Sequence, residues 1–145
     1  MTASGKPSVL IKPTLDTRFY VDYSWWERSE EDLNTYLLSH LLPEQRDALS
    51  QTTERRKIDY VDPDTGEVLQ LDELTLAIRL AATDPNFISP QTSLVDSIFR
   101  VFLANGNIPL TPRELAEQTG RDANTILKTL SGMRIYKGIR PHIPD

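Results

Sequence analysis

Apolar positions along the chain change period several times, and each change marks a predicted element. Phe19, Val21 and Tyr23 alternate with Arg18, Tyr20 and Asp22, a period of two that predicts a half-buried strand. Behind it Leu33, Tyr36, Leu37 and Leu41 recur at helical spacing. Ser29 is a candidate N-cap for that helix, and Glu30, Glu31 and Asp32 place negative charge at its positive end. Pro43 can end it and open a short second helix through Leu49. Upstream, Ser8-Val9-Leu10-Ile11 is a short strand candidate stopped by Pro13, and the small polar residues 1–7 read as a flexible arm.

Residues 57–71 predict a hairpin. Lys57-Ile58-Asp59-Tyr60-Val61 and Glu67-Val68-Leu69-Gln70-Leu71 are strand-like, and Asp62-Pro63-Asp64-Thr65-Gly66 supplies the turn. Asp72 then caps a helix to about Ala82 that buries Leu74, Ala77, Ile78 and Ala81, before Asp84-Pro85-Asn86 breaks it. Pro90 marks the next entry.

Three further helices are predicted at 92–104, 112–119 and 123–131. The first is apolar on much of its circumference (Leu94, Val95, Ile98, Phe99, Val101, Phe102, Leu103) and closes at Asn105-Gly106-Asn107. Thr111-Pro112-Arg113-Glu114 starts the second with a capping Thr, a Pro at the first helical position and a Glu able to close a capping box. Gly120 permits a tight turn, Asp122 caps the third helix, and Ser131-Gly132 ends it. Ile98, Phe102, Leu115, Ile126, Leu127 and Leu130 are expected in one buried cluster. Met133 to Arg140 alternates apolar with basic or polar residues around Lys137-Gly138, which predicts a second hairpin.

The run from Thr111 to Gly120, followed by Thr125-Ile126 and Leu130, resembles the helix-turn-helix of bacterial winged-helix proteins. Ala104-Asn105-Gly106-Asn107-Ile108-Pro109-Leu110 is similar to the entry of winged-helix modules on nucleic-acid-associated and chromatin-associated proteins. The resemblance covers residues 92–141, and nothing comparable is seen in residues 1–85. It implies that the third helix is the reading helix, offering Asn124, Thr125 and Lys128 with Arg121 at the turn before it. Asn suits bidentate pairing with adenine, and Arg or Lys suits guanine or phosphate. The second hairpin would be the wing, with Arg134, Lys137 and Arg140 on phosphates and Tyr136 as a stacking or packing surface.

The expected fold class is therefore α+β and mainly helical. A small N-terminal strand, helix and hairpin unit (8–85) follows the arm (1–7) and precedes a C-terminal winged helix-turn-helix (86–145). A length of 145 residues suits one compact domain or two small units sharing a core. No apolar run approaches the roughly 18–20 residues that span a bilayer, so no membrane partner is expected. The N-terminal residues lack an apolar segment behind their charge, which points to a cytoplasmic protein.

Charge refines the partner expectation. The net charge of −5 works against phosphate binding, but it is uneven: residues 1–110 carry 10 Lys/Arg against 17 Asp/Glu, and residues 111–145 carry 6 against 4. An acidic body thus bears a locally basic end. Two functions follow: a nucleic-acid-binding or regulatory protein acting on duplex DNA, or a protein-interaction adapter using the same fold as a scaffold. Trp25 and Trp26 are the candidate anchors for a protein partner or for self-association through the acidic N-terminal unit.

Catalytic and metal chemistry find little footing. The absence of Cys removes thiol catalysis and thiolate metal sites from this chain. Asp62 to Gly66 with Glu73 only superficially resembles a calcium loop, since Gly66 stands where a ligand is expected. His40 falls on an apolar helix face and His142 in a Pro-flanked tail, and no Gly-x-Ser-x-Gly or phosphate-cradling Gly loop occurs. No enzyme, catalytic residue, metal or cofactor is expected. Arg55-Arg56-Lys57 reads mainly as the solvated entry to the 57–71 hairpin.

Overall fold

The computed structural model describes residues 12–50, 57–61 and 65–143 and is an α+β protein. In chain order its elements are β1 (Phe19–Val21), α1 (Tyr23–Arg28), α2 (Leu33–Leu38), α3 (Pro43–Ser50), β2 (Lys57–Val61) and β3 (Val68–Asp72). These are followed by α4 (Glu73–Ala81), α5 (Leu94–Asn105), α6 (Pro112–Thr119), α7 (Ala123–Leu130) and β4 (Ile139–Pro141). Among the described residues no helix is long and apolar enough to cross a membrane.

The chain divides into two compact units, one within Met1–Arg28 and Ile88–Asp145, the other within Ser29–Phe87. This corrects the expected division at residues 85 and 86. The strand at 19–21 belongs with the C-terminal helices, because its partner is β4 and not the 57–71 hairpin: Phe19, Tyr20 and Val21 lie opposite Pro141, Arg140 and Ile139 in antiparallel register.

In the first unit β1 is bonded along both edges. Tyr20 and Asp22 face β4, and Asp22 N–H donates to the Gly138 carbonyl at 2.8 Å. Phe19 exchanges bonds of 2.7 and 3.0 Å with Leu110 on the other edge. There Asn107, at φ 66°, uses its side-chain amide as a short strand, accepting from Val21 N–H and donating to Val21 C=O at 2.9 Å each. No backbone group of this buried strand is left to desolvate unpaired, which would cost about 1–3 kcal/mol. The inward side chains Phe19, Val21 and Ile139 meet Ile98, Phe99, Phe102, Leu115 and Ile126 in a fully buried core. Each such side chain contributes about 1.5–3 kcal/mol by leaving water.

Local signals set the three C-terminal helices. Ser93, Thr111 and Asp122 each cap from extended backbone, and Thr111 with Glu114 closes the expected capping box. Gly106 and Gly120 end α5 and α6 in the left-handed conformation. Leu127 departs from expectation: it is half-buried, while Ile126 and Leu130 carry the buried face of α7. The predicted 18–23 strand also stops early. Asp22 accepts from Ser24 N–H at 3.0 Å and from its hydroxyl at 2.6 Å, and the chain turns into α1 at Tyr23.

In the second unit α4 packs on α2, α3 and both strands of the antiparallel β2–β3 hairpin. Leu41, Leu49, Leu74, Ile78 and Phe87 are buried there, as is His40 beside the Tyr36 ring. The first helix is shorter than predicted and is capped by Asp32 instead of Ser29, whose hydroxyl accepts from Glu31 N–H in the turn ahead of it. The expected arm, the strand at 8–11, the turn residues 62–64 and the cations Arg55 and Arg56 lie outside the described residues.

Candidate nucleic-acid interface

Helix α7 separates its residues by face. Ile126 and Leu130 are buried, whereas Asn124, Thr125 and Lys128 are exposed together on the opposite side. Asn124 and Lys128 stand one turn apart, and among the described residues neither side chain has an ion pair or hydrogen bond. Thr125 is different. Its hydroxyl donates to Asp122 Oδ2 at 3.0 Å, and the same oxygen accepts Thr125 N–H at 2.9 Å, so this residue builds the helix start.

Arg121 sits in the turn between α6 and α7 and is directed at the segment before α5. Its Nη2 donates to the Pro90 carbonyl at 3.3 Å and to the Thr92 carbonyl. Those bonds hold the start of α5 against the turn, and they occupy a guanidinium that the sequence reading assigns to a ligand. Its role in the fold is to join helices.

The expected wing hairpin over 133–140 is absent. Residues 131–138 form a loop, and only Ile139–Pro141 becomes a strand, paired with β1. Lys137 (φ 56°) and Gly138 (φ 80°), both left-handed, make a tight turn closed by Ile139 N–H donating to the Tyr136 carbonyl at 3.0 Å. Beyond it Ile139–Pro141 pairs with β1 and not with the residues before the turn, and α1 holds the turn in place. Trp26 Nε1 donates to the Lys137 carbonyl at 3.1 Å. A Cβ on Gly138 would stand 2.8 Å from the Asp22 carbonyl and 3.2 Å from Trp26 Nε1.

The three expected wing cations consequently differ. Arg134 is exposed, with its guanidinium 5.0 Å from the centre of the Tyr136 ring. Lys137 is half-buried, its ammonium 6.0 Å from the Trp26 ring centre. Arg140 pairs with Asp22 at 3.2 Å, a contact in which Asp22 is largely buried. The Ser24 hydroxyl first, then Ser24 N–H and Arg140, hold the Asp22 carboxyl below its ordinary value of 3.8 despite its burial.

The Trp pair is likewise divided. Trp26 is buried, edge-on to Phe99 at 6.2 Å, and serves the core, which corrects its assignment as a partner anchor. Trp25 is half-buried and meets Trp26 edge-on at 5.1 Å.

Another cluster escaped the sequence reading. On the outward side of the β1–β4 ladder, Arg18 and Tyr20 lie across from His142 and Arg140, with Tyr20 and His142 in edge-to-face contact at 5.4 Å. The alternation of Arg18 with Phe19 and Tyr20 signals an outward face, but which strand it meets is invisible in the local pattern.

Comparison with protein-family models, with curated proteins and with solved structures found no match to this chain.

Proposed function

We propose that the first unit is a winged helix-turn-helix variant that binds duplex DNA through α7. In this reading α5, α6 and α7 are the three helices, Leu110 and β4 are the outer strands, and the N-terminal β1 takes the central place of the small sheet. The observation that carries it is the pair Asn124 and Lys128, exposed one turn apart on a helix whose other face is locked into the core. Their chemistry divides the work: an amide can read an adenine edge, and an ammonium can take a phosphate.

The loop's cations contribute unequally. Arg134 is exposed, while Arg140, beyond the loop on β4, has its charge partly offset by Asp22 through Nη1. If Lys128 and Arg134 neutralise about two phosphates, log affinity falls against log salt with a slope of about −1.8, and Lys128→Glu flattens it by about 0.9. Asn124→Ala weakens a preferred sequence by about 1–3 kcal/mol and leaves non-specific binding nearly unchanged. Fluorescence anisotropy with mixed-sequence duplex at low salt tests both. Absence of binding at micromolar protein, or binding indifferent to Lys128→Glu, refutes the reading.

A protein-interaction adapter is the second reading, and Met133 favours it. This side chain is fully exposed in the 131–138 loop, and exposed flexible Met is common at adaptable protein-binding surfaces.

A further inference from the structure

Outside α7 and the loop that follows it, the first unit carries a second face suited to nucleic acid: the outward side of the β1–β4 ladder. Its composition follows from register. Phe19 and Val21 point into the core, so Arg18, Tyr20 and Asp22 point away from it. On β4, Ile139 is buried, so Arg140 and His142 point outward with them. His142 N–H donates to the Arg18 carbonyl at 2.7 Å, which extends the ladder and sets these two residues opposite each other. Tyr20 lies opposite Arg140.

These four residues occupy the corners of a skewed cell. Antiparallel strands bring one diagonal close and leave the other long. Tyr20 and His142 take the close diagonal, with ring centroids 5.4 Å apart and planes at 83°. The contact between Asp22 and Arg140 runs along the same direction. Arg18 and Arg140 therefore hold the far corners, about 7–8 Å apart at their origins, with the ring pair between them. Among the described residues the Arg18 side chain has no hydrogen bond or ion pair. Arg140 spends Nη1 on Asp22, which answers that carboxylate's charge, and its remaining donors stay available.

We infer that this face binds single-stranded nucleic acid, one base stacking on the Tyr20 ring, against which the His142 ring stands at nearly a right angle, and the flanking phosphates meeting Arg18 and Arg140. A guanidinium on each side of an aromatic platform is the arrangement that single-strand binders use: stacking accepts any base, and the cations track the backbone. Duplex DNA fits poorly here, since its bases are stacked on one another and unavailable to the rings. Arg18 carries most of the electrostatic attraction, because Asp22 offsets part of the Arg140 charge. The proposal is independent of the α7 reading.

The test is fluorescence anisotropy of a labelled oligothymidylate with the full chain at low salt, with Arg18→Glu, Tyr20→Leu and Lys128→Glu as variants. The wild type binds the oligonucleotide with a log–log salt slope of about −1.4, and Arg18→Glu weakens it and flattens the slope by about 0.7. Tyr20→Leu loses about 5- to 150-fold, the range for one base stacked on one aromatic ring. Lys128→Glu leaves single-strand binding unchanged while acting on duplex binding, so the two faces are read separately. Arg18 is exposed, so Arg18→Glu keeps the test valid even if Tyr20→Leu perturbs folding. No binding by the wild type, unchanged binding by Arg18→Glu, or equal competition by oligoglutamate overturns the proposal.

Discussion

Replacing Gly138 by Ala separates two costs that usually arrive together. Any L-residue in the left-handed region loses about 1–2 kcal/mol, and this part is shared with Gly120, where φ is 71° and a Cβ would meet nothing within 4 Å. At Gly138 the added methyl also stands 2.8 Å from the Asp22 carbonyl, a backbone atom fixed by the β1–β4 pairing. Overpacking of that kind costs about 1–3 kcal/mol. Displacing the turn further weakens the Trp26 bond to the Lys137 carbonyl, worth about 0.5–1.5 kcal/mol net. Gly138→Ala is therefore expected to lose about 3–6 kcal/mol, against about 1–2 for Gly120→Ala. Urea unfolding followed by tryptophan fluorescence reads the difference, since both Trp residues, Trp25 and Trp26, belong to the first unit. With a slope near 2 kcal/mol per molar urea, the midpoint falls by about 1.5–3 M for Gly138→Ala and by about 0.5–1 M for Gly120→Ala. Equal losses, or the larger loss at Gly120, would show that α1 does not clamp this turn.

Two further outcomes follow from burial and charge. In the same assay Ile126→Ala costs about 2–5 kcal/mol as a full core truncation, and half-buried Leu127→Ala costs less; the reverse order would mean that α7 is rotated. Asp22 has a folded-state pKa below its ordinary 3.8, so its contribution to stability is present above that value and lost as pH falls through the folded one. Wild type is thus more stable than Asp22→Asn at neutral pH, and their melting temperatures converge under acid; a constant gap would refute the role of this carboxylate.

The helices of the first unit were legible because their determinants are local. Thr111-Pro112-Arg113-Glu114 and Asp122 act within one turn of chain, and the structure places α6 at the predicted residues. The second unit's hairpin and α4 were legible for the same reason, with Asp72 capping as expected. What failed was long-range. Residues 133–140 alternate well enough for a hairpin, but the pairing of Ile139–Pro141 depends on a strand near the other end of the chain. The same partner choice decided the site. Arg140 was read as a free cation because Asp22 is remote in sequence, and Arg121 because the carbonyls of Pro90 and Thr92 leave no side-chain signature. Trp26 and Trp25 are adjacent and chemically alike, so only the position of Gly138 and Phe99 distinguishes the core ring from the rim ring.

The discontinuous first unit has a consequence for the order in which this chain can acquire structure. Asp22 and Arg140 meet across a separation of 118 residues, and the β1–β4 ladder closes the same span. A vectorially synthesised chain therefore leaves Phe19 and Val21 without their partners Asn107, Leu110 and finally β4 until those residues emerge, whereas the helices, hairpin and caps of Ser29–Phe87 can form beforehand from nearby contacts. Loop-closure entropy rises only logarithmically with length, so a completed insert in the interval adds little to the equilibrium cost and mainly sets the kinetic sequence.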